Sequence, residues 1–424
     1  MKKKAILGLI ALLAATGAAA ETYAIQAGRL IVDASKPALG PSTVIVANGV
    51  ISRIEPGATA PAGATVINMR SHTVLPGLID AHVHLAFEPS TPFWRETVDS
   101  NELGAVIGVK NALLTARAGF TTVRDLGAPG HSSFALRDAI RDGIVPGPRI
   151  VASGGQLSIV GGHGDVSGYR PEVNAALDPG GTCTGADQCA LRVREWAKRG
   201  SDVIKITSTG GVLSQQGRGL EGHFDPAEIR AITSTARRLG LKVAAHAHGA
   251  RGIEDAVLAG VDSIDHGTFA DVAALRAMKA KGTWLVPTLM ASTGLRDRIG
   301  KNLYTPVVEA KGRQALAVWG HALRNANRAG VRIAFGTDSG VFEHGRNGEE
   351  AELMVRLGGM TPREVLVSAT TGAAELLGVG DEVGTLDPGK SADLIAVEGD
   401  PLTDATALTR VSYVMARGKP ISMR

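Results

Sequence analysis

Residues 75–85 read LPGLIDAHVHL, an apolar run that ends in two histidines one residue apart. Alternate side chains of a β-strand share one face, so His82 and His84 are expected to point the same way, about 7 Å apart along the strand. Two imidazoles at that spacing can share a metal ion, but two ligands do not complete a site. The remaining histidines decide whether the pair is functional or consists of ordinary polar residues at a strand end.

Seven more short apolar runs of β type follow, and helix-type segments such as 102–118, 190–199, 226–239 and 315–329 lie between them. The later runs read FTTVRDLG, RIVASGG, DVIKITST, KVAAHAHG, DSIDHGT, WLVPTLM and RIAFGTDS. Eight β-α units in series imply a parallel sheet. A chain of this length suits a closed (β/α)8 TIM barrel over residues 73–382 better than an open, doubly wound sheet.

The segments on either side of this region have a different pattern. Residues 21–72 and 383–424 alternate apolar and polar side chains between Gly, Pro and Asn turns, which is typical of antiparallel strands. Since both segments flank the barrel, we predict one small β-sandwich domain built from the two termini. The predicted class is therefore α/β, a barrel with a composite β domain.

The N-terminus reads MKKKAILGLIALLAATGAAAETYA, which combines three lysines, an apolar stretch and a run of alanines. This is the pattern of a bacterial-type signal peptide over residues 1–20. The alternative is a membrane anchor, but the apolar stretch is shorter than the roughly 20 residues that span a bilayer. We predict cleavage near Ala20, a periplasmic or secreted protein, and no stable membrane anchor after cleavage.

The charge balance bears on whether the protein binds nucleic acid, and the two cysteines bear on whether it contains a disulfide. Removal of three lysines with the signal peptide reduces the 45 basic residues to 42, against 41 acidic ones, and no basic stripe predicts nucleic-acid binding. Cys183 and Cys189 lie in one Gly-rich stretch, GGTCTGADQC. In an oxidising compartment we expect them to form a disulfide. A metal role is the alternative, although no C-x-x-C spacing supports it.

Polar side chains stand at the ends of five of the eight predicted strands. In a barrel of this type the active site lies at the carboxyl ends of the strands. A single histidine there is more often a satisfied polar group than a ligand, but several such residues on five strands predict a metal site. They are His82, His84, Lys205, His246, His248, Asp265, His266 and Asp338.

The segments PGLIDAHVH, DVIKI, HAHG, IDHGT and GTDSG, bracketed by a split β domain, resemble the binuclear-metal branch of the amidohydrolase superfamily. The resemblance covers essentially the whole mature chain. It implies a (β/α)8 barrel enzyme with two divalent metal ions. It further implies that the ligands are His82, His84, Lys205, His246, His266 and Asp338.

The resemblance also implies a role for each ligand. His82 and His84 would bind the more buried ion, while Asp338 would bind the same ion and handle protons. Lys205 would be carbamylated and bridge both ions, because an unmodified ammonium has no lone pair to donate. Zinc is the expected ion, since it suits His and carboxylate ligands and lowers the pKa of bound water to about 7. The ligand set leaves manganese and cobalt open.

The second ion would take His266 and one histidine of HAHG. We assign His246 to the metal because the family's ligand is the first of that pair. His248 is then a catalytic or substrate-binding residue, and a buried hydrogen-bonding role is its alternative.

The segment SIVGGHGDVSGYR, residues 158–170, offers further candidates in a Gly-rich loop. His163 is the first candidate for a catalytic or substrate contact, because relatives with GGHG place this histidine on the substrate side. Tyr169 and Arg170 are candidate substrate-binding residues, with a solvated loop as the alternative. His223 is a weaker candidate, and Arg124 is expected to tie the second strand to neighbouring carboxylates.

Within the superfamily the chain is similar to Xaa-Pro dipeptidases, carboxypeptidases that release Arg or Lys, and ochratoxin-type amidases. We therefore expect a hydrolase that cleaves an amide bond of dipeptides or N-acyl amino acids by means of a metal-activated hydroxide, in a homo-oligomer. Cyclic-amide hydrolysis of the imidazolonepropionase or hydantoinase type is the enzymatic alternative. A non-catalytic assembly protein is the alternative from another class.

Overall fold

The computed structural model describes residues 21–423 except Ser90 and Pro179. The predicted signal peptide, residues 1–20, lies outside the described residues. Within the described part of the chain, no helix combines the length and the apolar character that a membrane span requires.

The described residues form sixteen strands and thirteen α-helices. The strands are β1 Thr22–Leu30, β2 Ser42–Ala47, β3 Val50–Pro56, β4 Thr65–Pro76, β5 Leu78–Val83, β6 Phe120–Asp125, β7 Arg149–Ala152, β8 Gln156–Ile159, β9 Thr182–Cys183, β10 Val203–Thr207, β11 Lys242–Ala247, β12 Ser263–His266, β13 Trp284–Val286, β14 Leu394–Val397, β15 Val411–Ala416 and β16 Lys419–Pro420.

The helices are α1 Asn101–Arg117, α2 Ser132–Arg141, α3 Pro171–Leu177, α4 Ala186–Arg199, α5 Pro226–Arg238, α6 Ala250–Leu258, α7 Val272–Lys281, α8 Leu289–Arg296, α9 Pro306–Ala317, α10 His321–Ala329, α11 Glu349–Arg356, α12 Pro362–Val367 and α13 Ala373–Leu377. Short 3-10 helices cover Phe93–Thr97 and Ala405–Thr409, and a π-helical turn covers Ser368–Gly372.

One seven-stranded sheet combines strands from both ends of the chain, in the order β16-β15-β14-β4-β1-β2-β3. Its central junction pairs β4 with β14 antiparallel, and Pro76 lies opposite Leu394. Side chains of this sheet, including Ile25, Val44 and Met415, form an apolar cluster separate from the main core. The strands of the two termini thus share one sheet, and β4 extends past the predicted boundary at residue 72.

The central region contains two parallel sheets, with strand orders β13-β12-β11-β10-β8-β9 and β5-β6-β7. Residues 332–339 lie between them. The backbone N–H of Ala334 donates to Leu285 in β13 at 3.0 Å, and that of Asp338 donates to His82 in β5 at 2.7 Å. The two sheets also meet at β7 and β10. There the backbone N–H of Asp202, directly before β10, donates to the carbonyl oxygen of Ala152 in β7 at 2.8 Å. These bonds bring the carboxyl ends of the parallel strands to one place.

The predicted third strand, RIVASGG, contains β7, and a second short strand, β8, begins directly after it. Between the two strands the backbone closely approaches an aromatic side chain. A Cβ on Gly155 would lie 2.3 Å from the Trp196 ring, so only glycine fits between the strand and α4. Nearby, Cys183 of β9 and Cys189 of α4 form a disulfide and are both buried. The disulfide thus joins a short strand to the helix that packs beside it.

Helix α5 shows how local sequence sets the helices around the sheets. Asp225 caps its first turn and forms a capping box with Glu228, and Pro226 occupies the first helical position. Its buried face includes Ile229 and Ile232, which belong to the main apolar core. The amphipathic spacing thus fixes which side of the helix faces the sheet.

Candidate active site

Six histidines meet at the carboxyl ends of β5, β8, β11 and β12. The ring centroids of neighbouring histidines lie 4.3 to 5.2 Å apart, for example 4.7 Å between His246 and His266 and 5.2 Å between His82 and His266. The six are His82, His84, His163, His246, His248 and His266.

His82, His84 and Asp338 form the tightest group in this site. The two histidine Nε2 atoms lie 3.3 Å apart, and each lies 3.4 Å from Oδ1 of Asp338. One ligand atom from each residue falls within 4.8 Å of the other two. Burial alone would raise the pKa of Asp338, but His82 and His84 outweigh this effect and hold the pKa below its usual range. The group offers two imidazoles and a carboxylate that could hold a metal ion.

The second group consists of His246, His248, His266 and His163. The His246 ring lies 4.3 Å from the His163 ring and 4.6 Å from the His248 ring, measured between centroids. Burial lowers the pKa of His163 to about 3 and of His248 to about 4. It also lowers the pKa of His246 and His266 well below the usual value. These imidazoles are therefore neutral near pH 7 and have lone pairs that a metal can accept.

Hydrogen bonds to the Nδ1 atoms orient three of the histidines. His84 Nδ1 lies 2.9 Å from the carbonyl oxygen of Gly127, and His266 Nδ1 lies 2.7 Å from Oγ1 of Thr288. His248 Nδ1 makes a similar contact of 2.7 Å with Thr268. Contacts of this kind fix the ring and leave Nε2 for a metal, as in many metal sites. The donor set and its outer contacts thus fit divalent metal binding.

Three non-glycine residues of the site have left-handed backbone conformations. The φ angles are +73° at His266, +48° at Thr288 and +63° at Asp338. This conformation costs an L-residue about 1–3 kcal/mol, and such residues concentrate at functional sites. The strained turns occur where the chain leaves the sheet and turns these side chains toward the site.

Lys205 and Arg124 share one buried carboxylate. Lys205 Nζ lies 3.1 Å from Oδ2 of Asp265, and an amino nitrogen of Arg124 lies 3.2 Å from Oδ1 of the same residue. His82 Nδ1 lies 3.3 Å from Oδ2. The tie from Arg124 to a neighbouring carboxylate is thus as expected from the sequence. The sequence placed Asp265 among the polar residues at the strand ends, next to His266 in IDHG, but assigned it no individual role.

Two further buried carboxyl groups support the first histidine pair, and sequence reasoning gave neither of them a role. Asp80 accepts hydrogen bonds from the backbone of His82 and from both the backbone and the hydroxyl of Thr337. Asp125 accepts from the backbone N–H of Leu85 at 3.2 Å. Burial raises the pKa of each carboxyl to about 6. Asp80 lies inside the LIDAHVH motif, two residues before His82, and this position could have indicated its role from the sequence.

The candidates of the Gly-rich loop are placed differently from one another. His163 joins the histidine group, while Tyr169 is half-buried and Arg170 is exposed at the start of α3. His223 is half-buried, and neither of its ring nitrogens has a hydrogen-bond partner among the described residues. A Cβ on Gly210 would lie 3.2 Å from His223 Nε2, so His223 packs beside the backbone that follows β10.

The sequence pattern that defines the Amidohydrolase family matches residues 73–421. The chain belongs to this family. The match begins just before β5 and extends through the parallel sheets and β14 to the end of β16. This amidohydrolase therefore has, in His82, His84 and Asp338, a group that could bind a catalytic metal.

Two solved structures and one curated relative illustrate the likeness of this amidohydrolase to known enzymes. A Xaa-Pro dipeptidase with bound methionine in its active site is 37% identical, has a TM-score of 0.88, and matches over 94% of this chain and 99% of its own. A prolidase complexed with N-methylphosphonate-L-proline is 30% identical, with a TM-score of 0.85 and coverage of 94% and 99%. The ochratoxinase of Aspergillus niger is 30% identical over 94% of this chain and 86% of its own length.

Proposed function

We propose that this amidohydrolase cleaves an amide bond of dipeptides or N-acyl amino acids. One observation carries the proposal: the group of His82, His84 and Asp338 lies directly beside the group of His246, His248 and His266. Two adjacent ligand groups of this kind suit two divalent ions, for which zinc is our first choice. The similarity to a Xaa-Pro dipeptidase, a prolidase and an ochratoxinase supports an acyclic amide as the substrate.

The proposal includes a closed eight-stranded barrel in which residues 332–339 serve as the eighth strand. Its support is the backbone bonding of this segment to β5 on one side and β13 on the other. We also propose that the protein acts after export and as a homo-oligomer. The sequence pattern at residues 1–20 supports the first of these, and the family resemblance supports the second.

A carbamylated Lys205 forms part of the proposed site. Its side chain is 2% exposed, and its Nζ lies 3.1 Å from Asp265, which directly precedes His266. The ammonium would first lose a proton, and addition of carbon dioxide to the neutral amine would then form an N–C bond and release a second proton, which gives an anionic oxygen donor. Since Asp265 is already anionic, the carbamate requires nearby positive charge, which two divalent ions would supply.

The residues divide the chemistry in the following way. Divalent ions held by the ligand groups would lower the pKa of a water molecule and polarise the substrate carbonyl. Asp338 is placed to accept the proton of that water and to deliver it to the departing amine. The rings of His163 and His248 each adjoin the ring of His246, and we assign both residues to contacts with the substrate carbonyl or carboxylate.

The test is mass spectrometry of zinc-supplemented protein incubated with dipeptides that end in Pro, Arg, Lys or Phe, together with N-acyl amino acids and cyclic amides. We expect acyclic substrates to split into two products with uptake of one water. Asp338→Ala should retain less than a few per cent of this rate, because general acid–base groups contribute about 10²–10⁴-fold. Asp381→Ala, at an exposed carboxylate, is the matched control and should retain full activity.

The other outcomes distinguish the alternatives. Opening of cyclic amides alone would favour the imidazolonepropionase or hydantoinase type of reaction. A protein that neither reacts nor copurifies with metal would favour a non-catalytic assembly protein. If Asp338→Ala keeps more than a few per cent of the wild-type rate, the proton-transfer role assigned to this residue is wrong.

A further inference from the structure

Lys311 is a buried cation that lies far along the chain from the histidines but close to them in space. It belongs to α9, and its exposed fraction is 5%. Its ammonium donates to the carbonyl oxygens of Gly211 and Ser214 at 2.7 Å each and of Gln216 at 3.2 Å. It also contacts the Ser214 hydroxyl at 3.3 Å. One side chain of α9 thus binds three of the six backbone carbonyls of the segment 211–216.

The segment 211–216 is the loop that follows β10, and α9 holds it at a second point. The Thr305 hydroxyl, just before α9, donates to Oε1 of Gln215 at 2.8 Å. Apolar contacts reinforce the arrangement, because Val212 packs in one cluster with Leu295 and Ala315. An ammonium that binds several carbonyls at once restricts a loop more than an isolated hydrogen bond does, since charged hydrogen bonds are the stronger ones.

The same segment contacts the GGHG loop. Gln216 Nε2 donates to the carbonyl oxygen of Gly162 at 2.7 Å. The His163 ring lies against the backbone of Gly211, where an added Cβ would come within 2.3 Å of ring atoms. The adjacent Gly210 carbonyl lies 3.4 Å from Nε2 of His246. The segment 211–216 therefore forms the surface on which His163 rests beside His246.

We propose that Lys311 is a positioning residue that holds the segment 211–216 against His163 and so fixes the substrate-facing wall of the site. Nothing in the contacts places Lys311 on a metal ligand, because its partners are backbone and hydroxyl oxygens of the loop. Its effect is therefore on the placement of His163 and not on the metal itself. The inference rests on the proposed function only for its kinetic consequence.

Hydrogen–deuterium exchange of the full-length, zinc-loaded protein tests the structural part. Lys311→Met should raise the exchange rates of amides in 158–164 and 208–217 about tenfold or more, since local opening limits exchange in loops. Lys301→Met, at an exposed lysine shortly before α9, is the matched control and should leave those rates unchanged. The number of zinc ions per chain should remain that of the wild type in both variants.

Steady-state kinetics test the functional part with whichever amide the wild type hydrolyses. Lys311→Met should lower kcat/KM on the order of 10- to 100-fold, mostly through KM, because misplacement of about 1 Å costs rate on that scale. Lys311→Arg should recover part of the loss, since it keeps the charge but not the compact ammonium. Gln216→Ala, which removes only the link to Gly162, should shift KM in the same direction by a smaller factor.

Several results would overturn the proposal. Unchanged exchange in both loops would show that Lys311 does not hold them, and this result is independent of any substrate. Faster exchange with an unchanged KM would show that the wall does not position His163. Loss of bound zinc would place Lys311 among the supports of the metal. If Lys311→Met does not fold, the exchange and KM of Gln216→Ala decide the question by the same criteria.

Discussion

Arg124→Met is expected to destabilise the protein strongly, because Arg124 on β6 connects this strand to β5 and β12 in the region of the parallel sheets. Its side chain is 2% exposed and begins on β6. Its Nε donates to the Ala81 carbonyl at 2.6 Å, and its amino groups donate to the Ser263 hydroxyl and Asp265 at 3.2 Å each. Methionine fills a similar volume, but the Ala81 carbonyl, the Ser263 hydroxyl and the Asp265 carboxylate each lose one hydrogen-bond donor.

The magnitude follows from the burial of the pair. Removal of one partner of a buried ion pair costs about 3–5 kcal/mol, because the other charge loses its compensation. Lys205 and His82 still contact Asp265, so we expect the lower end of this range, about 3 kcal/mol. Arg141→Met is the control: its ion pair with Asp138 is 61% exposed on the arginine side, and its loss should cost about 0–1 kcal/mol.

Urea unfolding followed by circular dichroism measures both variants, with and without added zinc. The double variant Arg124→Met/Asp265→Asn should be less destabilised than the sum of the two single variants, because each single variant already loses the Arg124–Asp265 pair and the double variant loses it only once. A loss for Arg124→Met no larger than that for Arg141→Met would refute the reasoning. Strict additivity in the double variant would show that the two side chains are not energetically coupled.

Two further predictions concern a buried acid and the disulfide. Glu350 is buried and accepts the backbone N–H groups of Leu289 and Met290, and burial raises its pKa well above the usual range. Its protonated form stabilises the fold below the unfolded pKa, and this contribution is lost as pH rises through the folded pKa. Glu350→Gln should therefore lose less unfolding free energy than the wild type as the pH rises above the ordinary glutamate pKa of 4.5, measured by urea unfolding; an equal or larger loss would contradict this. Reduction of the disulfide between Cys183 and Cys189, which are six positions apart, should cost about 2 kcal/mol in the same assay, whereas a Cys183→Ser/Cys189→Ser variant should not respond to the reductant.

The residues at the strand ends could be found from sequence because their spacing is short and regular. His82 and His84 alternate within one strand, and the structure brings them together with Asp338, which lies more than 250 residues away. Parallel strands explain this, since their carboxyl ends meet at one edge. Asp265 was recognised only as one of the strand-end residues, because its contacts with Lys205 and Arg124 join distant parts of the chain and no local pattern reveals them.

Two deviations in the secondary structure have local causes that periodicity does not show. The predicted helix at 315–329 is divided between α9 and α10 at Gly320, whose φ is +79°. A Cβ there would lie 2.6 Å from Leu357, so tertiary packing determines the break. Residues 332–339 bond to both neighbouring strands but are not a regular strand, because the chain turns into a left-handed conformation at Asp338.

The pairing of β4 with β14 has a consequence for the order in which the protein is made. A ribosome releases residues 65–76 more than three hundred residues before residues 394–397 exist, so one edge of β4 stays unpaired through most of synthesis. Unpaired strand edges recruit other chains, and contacts this distant in sequence form slowly. The sheet of the two termini can therefore be completed only after the last strands have been synthesised, and until then the exposed edge of β4 is open to pairing with other chains.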